Sequence, residues 1–239
     1  MTRDLFKKLF PFYCAVLAIT IALAFLLNQT VTTYTDQNVT ISEGMCIIID
    51  PGHGLPDGGT TSCTGVLESD LNLQISIRLN DLFHLFGVKT IVTRVNQDSI
   101  YTEGDSIARK KVSDTKNRVS LINNTKNAIL LSIHQNHFYD SRYSGAQVFY
   151  AGTKGSDLLA KKLQADLVTN LNPGSNRQSK RSSGVYLMEN IRCTGVLIEC
   201  GFLSNIQEES RLRSAQYQKK LCSVIVISCA EYLNQYASS

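Results

Sequence analysis

Short segments rich in apolar residues, several of them continuously apolar, alternate along this chain with longer segments whose apolar residues recur every three or four positions. The short segments predict strands at 47–49, 88–93, 128–133, 146–150, 184–188 and 195–199. The longer ones predict helices at 69–86, 107–124 and 156–171, and a closing helical region at 205–236 with a break near Ser214. Strands that are apolar throughout are typical of a sheet covered on both faces. The pattern therefore predicts one α/β domain, with a twisted, mostly parallel or mixed sheet and helices on both faces.

The first 27 residues follow a different pattern. Residues 9–27 are apolar apart from Thr20, and Arg3, Lys7 and Lys8 precede them. Such a run is long enough to cross a membrane, and it ends without the small residues that a signal peptidase needs. We expect an uncleaved anchor rather than a cleaved signal peptide, with the following residues outside the cytoplasmic membrane because the basic residues precede the span. The predicted organisation is a signal or anchor segment at 1–27, a polar linker at 28–44 and a globular domain at 45–239.

Composition narrows the classes of function. The chain has 239 residues, of which 43% are hydrophobic and 18% charged, as is usual for a globular protein. The formal net charge is +4, and half of it comes from the N-terminal segment, so nucleic acid is not a predicted partner. Seven cysteines in an exported protein raise the question of disulfides. Cys222 and Cys229 are too far apart along one predicted helix to pair; we expect free thiols, and only a pair of Cys63 with Cys193 stays open.

Polar residues with metal-binding chemistry stand where the predicted strands end. His53 lies in the loop Pro51-Gly52-His53-Gly54 after the first strand, and His134 and Glu199 end two later strands. Glu68 stands at the start of the helix that follows the His53 loop. Because sites in open α/β sheets form at the carboxyl ends of the strands, we expect these two imidazoles and two carboxylates to meet there.

Two histidines and one carboxylate are the ligand set of a catalytic zinc ion, and a second carboxylate outside the coordination shell is what a zinc hydrolase needs as a general base. Spacing alone does not decide which of Glu68 and Glu199 binds the metal. His137 is a rival ligand, although its position fits a loop residue that contacts substrate or solvent better. His84 lies within a predicted amphipathic helix and is interpreted as a packing or surface residue.

Five short motifs carry a resemblance to a known family, and they occur in the family's order. They are Asp50-Pro-Gly-His53-Gly, Glu68 with Leu71-Asn72-Leu73, Thr93-Arg94, Ser132-Ile-His134-x-Asn136, and Val196-Leu-Ile-Glu199-Cys-Gly-Phe-Leu-Ser-Asn205. On these motifs, residues 45–236 resemble the zinc-dependent N-acetylmuramoyl-L-alanine amidases of the Amidase_3 family, and are most similar to its CwlD-type spore germination amidases. The chain departs from the family's pattern at Gln135-Asn136-His137-Phe138, where small or apolar residues usually flank the asparagine.

The resemblance implies a Zn²⁺ ion bound by His53, Glu68 and His134, with Glu199 as the catalytic carboxylate. The implied reaction is hydrolysis of the amide between N-acetylmuramic acid and L-alanine in peptidoglycan, in the muramic-δ-lactam formation of the spore cortex and in germination. The implied partners are the peptidoglycan glycan strand with its stem peptides, the membrane through the N-terminal segment, and an unidentified accessory protein. The implied location is outside the cytoplasmic membrane, anchored to it, or in the spore envelope.

Two other functions fit the same residues. A zinc peptidase, such as a carboxypeptidase acting on stem peptides, would use the same ligands but release free D-alanine, whereas an amidase releases a peptide that begins with L-alanine. A membrane-tethered wall-binding protein would bind peptidoglycan without cleaving it. The presence of all four site residues disfavours this last interpretation.

Overall fold

The computed structural model describes Thr20 and residues 44–236. The chain divides into the units Met1–Val39 and Thr40–Ser239, and every element below belongs to the second. The predicted anchor, apart from Thr20, and the predicted linker up to residue 43 lie outside the described residues. Within the described part, no helix combines the length and the apolar character needed to span a membrane.

Six strands and six helices lie within residues 44–236. The strands are β1 (Cys46–Pro51), β2 (Thr90–Val92), β3 (Ala128–Asn136), β4 (Gln147–Tyr150), β5 (Lys180–Arg181) and β6 (Thr194–Phe202). The helices are α1 (Glu68–Leu85), α2 (Ile107–Asn124), α3 (Ser156–Leu171), α4 (Tyr186–Asn190), α5 (Ile206–Arg213) and α6 (Ala215–Tyr236). The sheet order is β2-β1-β3-β6-β4-β5, and the pairings are parallel except for β4 against β6. The predicted α/β fold with a mostly parallel or mixed sheet is confirmed.

The apolar strands are buried on both faces of the sheet. Ile47 and Ile49 point into a large core shared with α1, α3 and α6, while Ile48 points into a smaller core with residues of α2 and α4. Successive side chains of a strand face opposite ways, which is why three consecutive isoleucines are all needed and all fully buried. The central strands are thereby fixed in register, and their carboxyl ends are held at one edge.

Several predicted boundaries are confirmed. Helices predicted at 107–124 and 156–171 match α2 and α3. Ser106 caps α2 by accepting a hydrogen bond from the Arg109 amide. The closing helical region begins after Asn205, whose side chain caps α5, and breaks at Ser214 as expected.

Other boundaries were wrong. Residues 184–188, predicted as a strand, form a turn and the first residues of α4, with Val185 and Tyr186 exposed. His134 and Glu199 do not end their strands, because β3 and β6 keep pairing as far as Asn136 and Phe202.

Candidate metal centre and active site

The loop after β1 presents His53 in a constrained conformation. His53 has φ 61°, in the left-handed region that non-glycine residues rarely occupy. Two buried arginines hold the backbone on either side of it. Arg118 donates to the His53 carbonyl at 2.6 Å, and Arg94 donates to the Gly52 carbonyl at 3.0 Å and the Pro51 carbonyl at 3.1 Å. The hydrogen bonds from Arg94 and Arg118 therefore clamp this loop in one conformation.

A buried ion pair holds Arg118 in position for this clamp. Arg118 donates to Asp50 at 2.6 Å, and Asp50 also accepts hydrogen bonds from Thr93 at 2.6 Å and Ser132 at 2.8 Å. Burial alone would raise the pKa of Asp50, but Arg118 and the two hydroxyl donors outweigh it and hold that pKa below its usual value. Asp50 is therefore ionised at neutral pH, and its charge is matched within the core.

His53, Glu68 and His134 converge as predicted. Their ligand atoms all lie within 4.8 Å of one another. His53 Nε2 is 3.3 Å from Glu68 Oε2, and His134 Nδ1 is 3.0 Å from Glu68 Oε1. Two imidazole nitrogens and a carboxylate at this separation fit a zinc ion with further positions open for water or substrate.

Two glycines leave space for these three side chains. A Cβ atom on Gly52 would lie 2.3 Å from the His134 ring. A Cβ atom on Gly59, which has φ 69°, would lie 2.7 Å from Glu68 Oε2 and 2.8 Å from His53 Cδ2. Any larger residue at either position would displace a candidate ligand.

Glu68 is oriented by three hydrogen-bond donors besides the two histidines. Its carboxylate accepts hydrogen bonds from the Thr60 amide at 3.1 Å, the Gln135 amide at 3.2 Å and the Asn72 side chain at 3.3 Å. Burial would raise the pKa of Glu68, but hydrogen bonds with the two histidines outweigh it and hold that pKa far below its usual value. The carboxylate is thus ionised and ready to bind a cation.

Asp57 fixes the other side of the His53 ring. Its Oδ2 lies 2.9 Å from His53 Nδ1, and Lys111 Nζ on α2 lies 2.9 Å from the same oxygen. Burial alone would lower the pKa of His53, but the hydrogen bonds with Asp57 and Glu68 raise it to about 9. A carboxylate behind a histidine is a common arrangement at metal centres, where it sets which ring nitrogen faces the metal. Here that nitrogen is Nε2.

Glu199 lies beside the three clustered residues. Its Cα pairs with that of His134 across β3 and β6, and its Oε2 is buried without a hydrogen-bond partner among the described residues. Burial is the main cause that raises the pKa of Glu199 to about 7. A carboxylate whose pKa lies near neutrality can both accept and return a proton.

An open cavity of about 310 Å³ adjoins His53 and His134, and Lys111, Tyr186 and Leu187 also line it. The sequence did not predict that Tyr186 and Leu187 line this cavity, because residues 184–188 were predicted to form a strand. The two remaining histidines, His84 and His137, are exposed. His84 is thus a surface residue, one of the two predicted alternatives. All six cysteines of the described part are free, so Cys63 and Cys193 do not pair.

Comparison with known proteins decides the family. The sequence pattern of Amidase_3, described as N-acetylmuramoyl-L-alanine amidase, matches residues 47–229. The chain belongs to this amidase family. A germination-specific N-acetylmuramoyl-L-alanine amidase of Bacillus subtilis (strain 168) is 38% identical over 194 residues, which cover 80% of this chain and 81% of the relative.

Solved structures agree with the assignment. The CwlD amidase from Clostridioides difficile, in complex with the GerS lipoprotein, has a TM-score of 0.77 at 35% identity and covers 80% of this chain and 99% of its own. An N-acetylmuramoyl-L-alanine amidase from Clostridium difficile 630 has a TM-score of 0.70 at 30% identity, with coverages of 82% and 100%. This amidase is therefore a hydrolase of peptidoglycan, built on the fold that the sequence pattern predicted.

Proposed function

We propose that this amidase is zinc-dependent, that His53, Glu68 and His134 are its metal ligands, and that Glu199 is its general base. The observation that carries the proposal is the cluster of three ligand atoms within 4.8 Å, with a buried, unpartnered Glu199 oxygen beside it. The donor set suits zinc, and the backbone and side-chain donors around Glu68 already hold its carboxylate in place.

A zinc ion held by these residues would polarise the amide carbonyl and make the attacking water more acidic. Glu199 accepts a proton from that water and returns it to the leaving nitrogen of L-alanine, as its raised pKa allows. The products are a lactyl carboxylate on N-acetylmuramic acid and a stem peptide with a free L-alanine amino group. Asp57 holds the His53 ring with Nε2 toward Glu68 throughout.

We further propose that the substrate is spore cortex peptidoglycan, where removal of the stem peptide precedes muramic-δ-lactam formation. The germination-specific relative supports this choice. The complex of the CwlD amidase with a lipoprotein supports an accessory protein as a partner here too.

For the cell, we propose export with anchoring by residues 1–27, a linker at 28–44 and the catalytic domain at 45–239, outside the cytoplasmic membrane or in the spore envelope. The apolar run at 9–27 supports this organisation. Full-length protein is then expected in membrane fractions with its N-terminus intact, and N-terminal sequencing that starts near residue 28 would show cleavage instead.

Product analysis tests the reaction. Purified protein supplied with zinc should release from peptidoglycan a peptide that begins with L-alanine; release of free D-alanine would indicate a carboxypeptidase instead. Mass spectrometry of muropeptides from spores lacking this protein tests the substrate, since the account predicts loss of muramic-δ-lactam. Unchanged cortex with altered vegetative wall would contradict the cortex assignment.

A further inference from the structure

A cluster of exposed aromatic rings follows β3. Phe138, Tyr139 and Tyr143 are 38%, 89% and 46% exposed. The Phe138 ring lies 4.4 Å from that of Tyr139 and 4.7 Å from that of Tyr143, measured between ring centroids. We call these three residues the aromatic platform. It includes part of the segment at which the chain departs from its family's pattern, and the amidase mechanism uses none of its rings.

The platform is held in place by hydrogen bonds. The Phe138 amide donates to the Ser204 hydroxyl at 3.2 Å, and the Asn205 side chain donates to the Tyr143 carbonyl at 3.3 Å. The loop closes where the Gly145 amide donates to the buried Glu208 at 2.9 Å. Rings that are fixed and yet exposed to water as a group mark a surface for interaction.

The platform lies at the same edge of the sheet as the candidate metal centre. The Phe202 ring lies beside the platform, with its centroid 6.1 Å from that of Tyr143. Phe202 pairs across the sheet with Asn136, two residues beyond His134. The platform and the candidate metal centre therefore share one edge of the sheet, where one extended polymer can reach both.

Positive charge borders the platform. The Arg177 guanidinium stacks 4.9 Å above the Phe202 ring and donates to the Ser144 carbonyl at 2.9 Å. Peptidoglycan offers the complementary groups, since its pyranose rings present C–H faces that stack on aromatic rings and its stem peptides carry carboxylates.

We propose that Phe138, Tyr139 and Tyr143 bind the glycan strand of peptidoglycan, on sugars that flank the muramic residue whose amide is cleaved. This inference rests on the proposed function for the identity of the polymer. A second copy of the chain is a poorer occupant. Rings of roughly 150–250 Å² each that are 38%, 89% and 46% exposed offer together roughly 260–430 Å², about half or less of the roughly 800 Å² per partner that a stable interface buries.

Binding is measured on the full-length chain in detergent, depleted of metal so that no cleavage occurs. The probe is peptidoglycan glycan strands stripped of their stem peptides. Tyr139→Ala should weaken binding about fivefold or more, as truncation of an anchoring aromatic does, whereas Tyr139→Phe, which keeps the ring, should bind like wild type. Phe86→Ala is the matched control, because Phe86 is 52% exposed but follows the far end of α1, near the start of the strands.

Kinetics on the zinc-supplied enzyme give a second readout. Tyr139→Ala should raise KM for polymeric peptidoglycan by a similar factor and leave kcat unchanged, with no effect on a substrate of one disaccharide and its peptide. The inference is overturned if Tyr139→Ala binds glycan as tightly as wild type does. It is also overturned if wild type self-associates and Tyr139→Ala loses that self-association but still binds glycan. If wild type releases no L-alanine peptide but binds glycan in a Tyr139-dependent way, the proposed function fails and the binding surface stands.

Discussion

Replacing Arg118 by methionine tests how much the clamp that Arg118 forms under the His53 loop stabilises the folded protein. The Arg118 side chain is 4% exposed and its partner Asp50 is 1% exposed. Arg118 also donates to Asp114 at 2.8 Å and to the carbonyls of Pro51 and His53. Removing one partner of a buried ion pair costs about 3–5 kcal/mol, because a charge is left buried without compensation.

A loss of that size is a large share of the roughly 5–15 kcal/mol by which a domain is stable. We expect Arg118→Met to lower the midpoint of thermal unfolding by about 6–20 °C, at 2–4 °C per kcal/mol for a domain of this size. Arg109→Met is the control on the same helix, since Arg109 pairs with Asp105 in an exposed position and should matter by less than about 0.5 kcal/mol. Thermal and urea unfolding, both followed by circular dichroism, give the midpoints and the free energies of unfolding of both variants.

The difference in stability between wild type and Arg118→Met should change with pH in a defined direction. The folded-state pKa of Asp50 is lowered, so its stabilising contribution is present above its usual pKa and is lost as pH falls through the folded value. In Arg118→Met the buried Asp50 lacks its cation, so the gap between wild type and variant should narrow as Asp50 becomes protonated in acid. A loss below about 1 kcal/mol at pH 7, or a gap that does not narrow in acid, would refute this account of the clamp.

Two further predictions concern the metal centre. Asp57→Asn should weaken zinc binding about 10- to 100-fold in a chelator competition, because His53 Nδ1 loses its carboxylate partner. Lys111→Met should weaken zinc binding less, because Lys111 contacts Asp57 and not the histidine. Lys110→Met is the control and should leave zinc binding unchanged, since Lys110 stacks on Tyr101. Undiminished affinity in Asp57→Asn would contradict this role. Gly52→Ala should empty the site, since its Cβ would meet the His134 ring at 2.3 Å, and normal zinc content in that variant would show that the ring can move aside.

The sequence was sufficient to predict that His53, Glu68 and His134 meet. Each stands near the carboxyl end of a parallel strand or at the start of the helix after one, and the topology brings those positions to one edge. The start of α2 was predictable for a local reason, because Ser106 is a good cap.

Contacts between distant segments were out of reach. The Gln135 amide reaches Glu68 only because α1 packs against β3 in one register, and Lys111 on α2 meets Asp57 in the loop after β1. The error at 184–188 has the same origin. A five-residue apolar run fits a strand or a single helical turn equally well, and the choice depends on Leu187 packing under the sheet while Tyr186 stays exposed beside the cavity.

The most direct test of the central claim compares Glu68→Ala and Glu199→Ala for zinc content and for amidase rate on peptidoglycan. The account predicts that Glu199→Ala folds and keeps its zinc but loses about 10²- to 10⁴-fold in turnover, the usual contribution of a positioned general base. Glu68→Ala should lose zinc and activity together, because a carboxylate ligand is gone. The opposite result, an empty site in Glu199→Ala and full zinc in Glu68→Ala, would contradict the assignment of the two carboxylates.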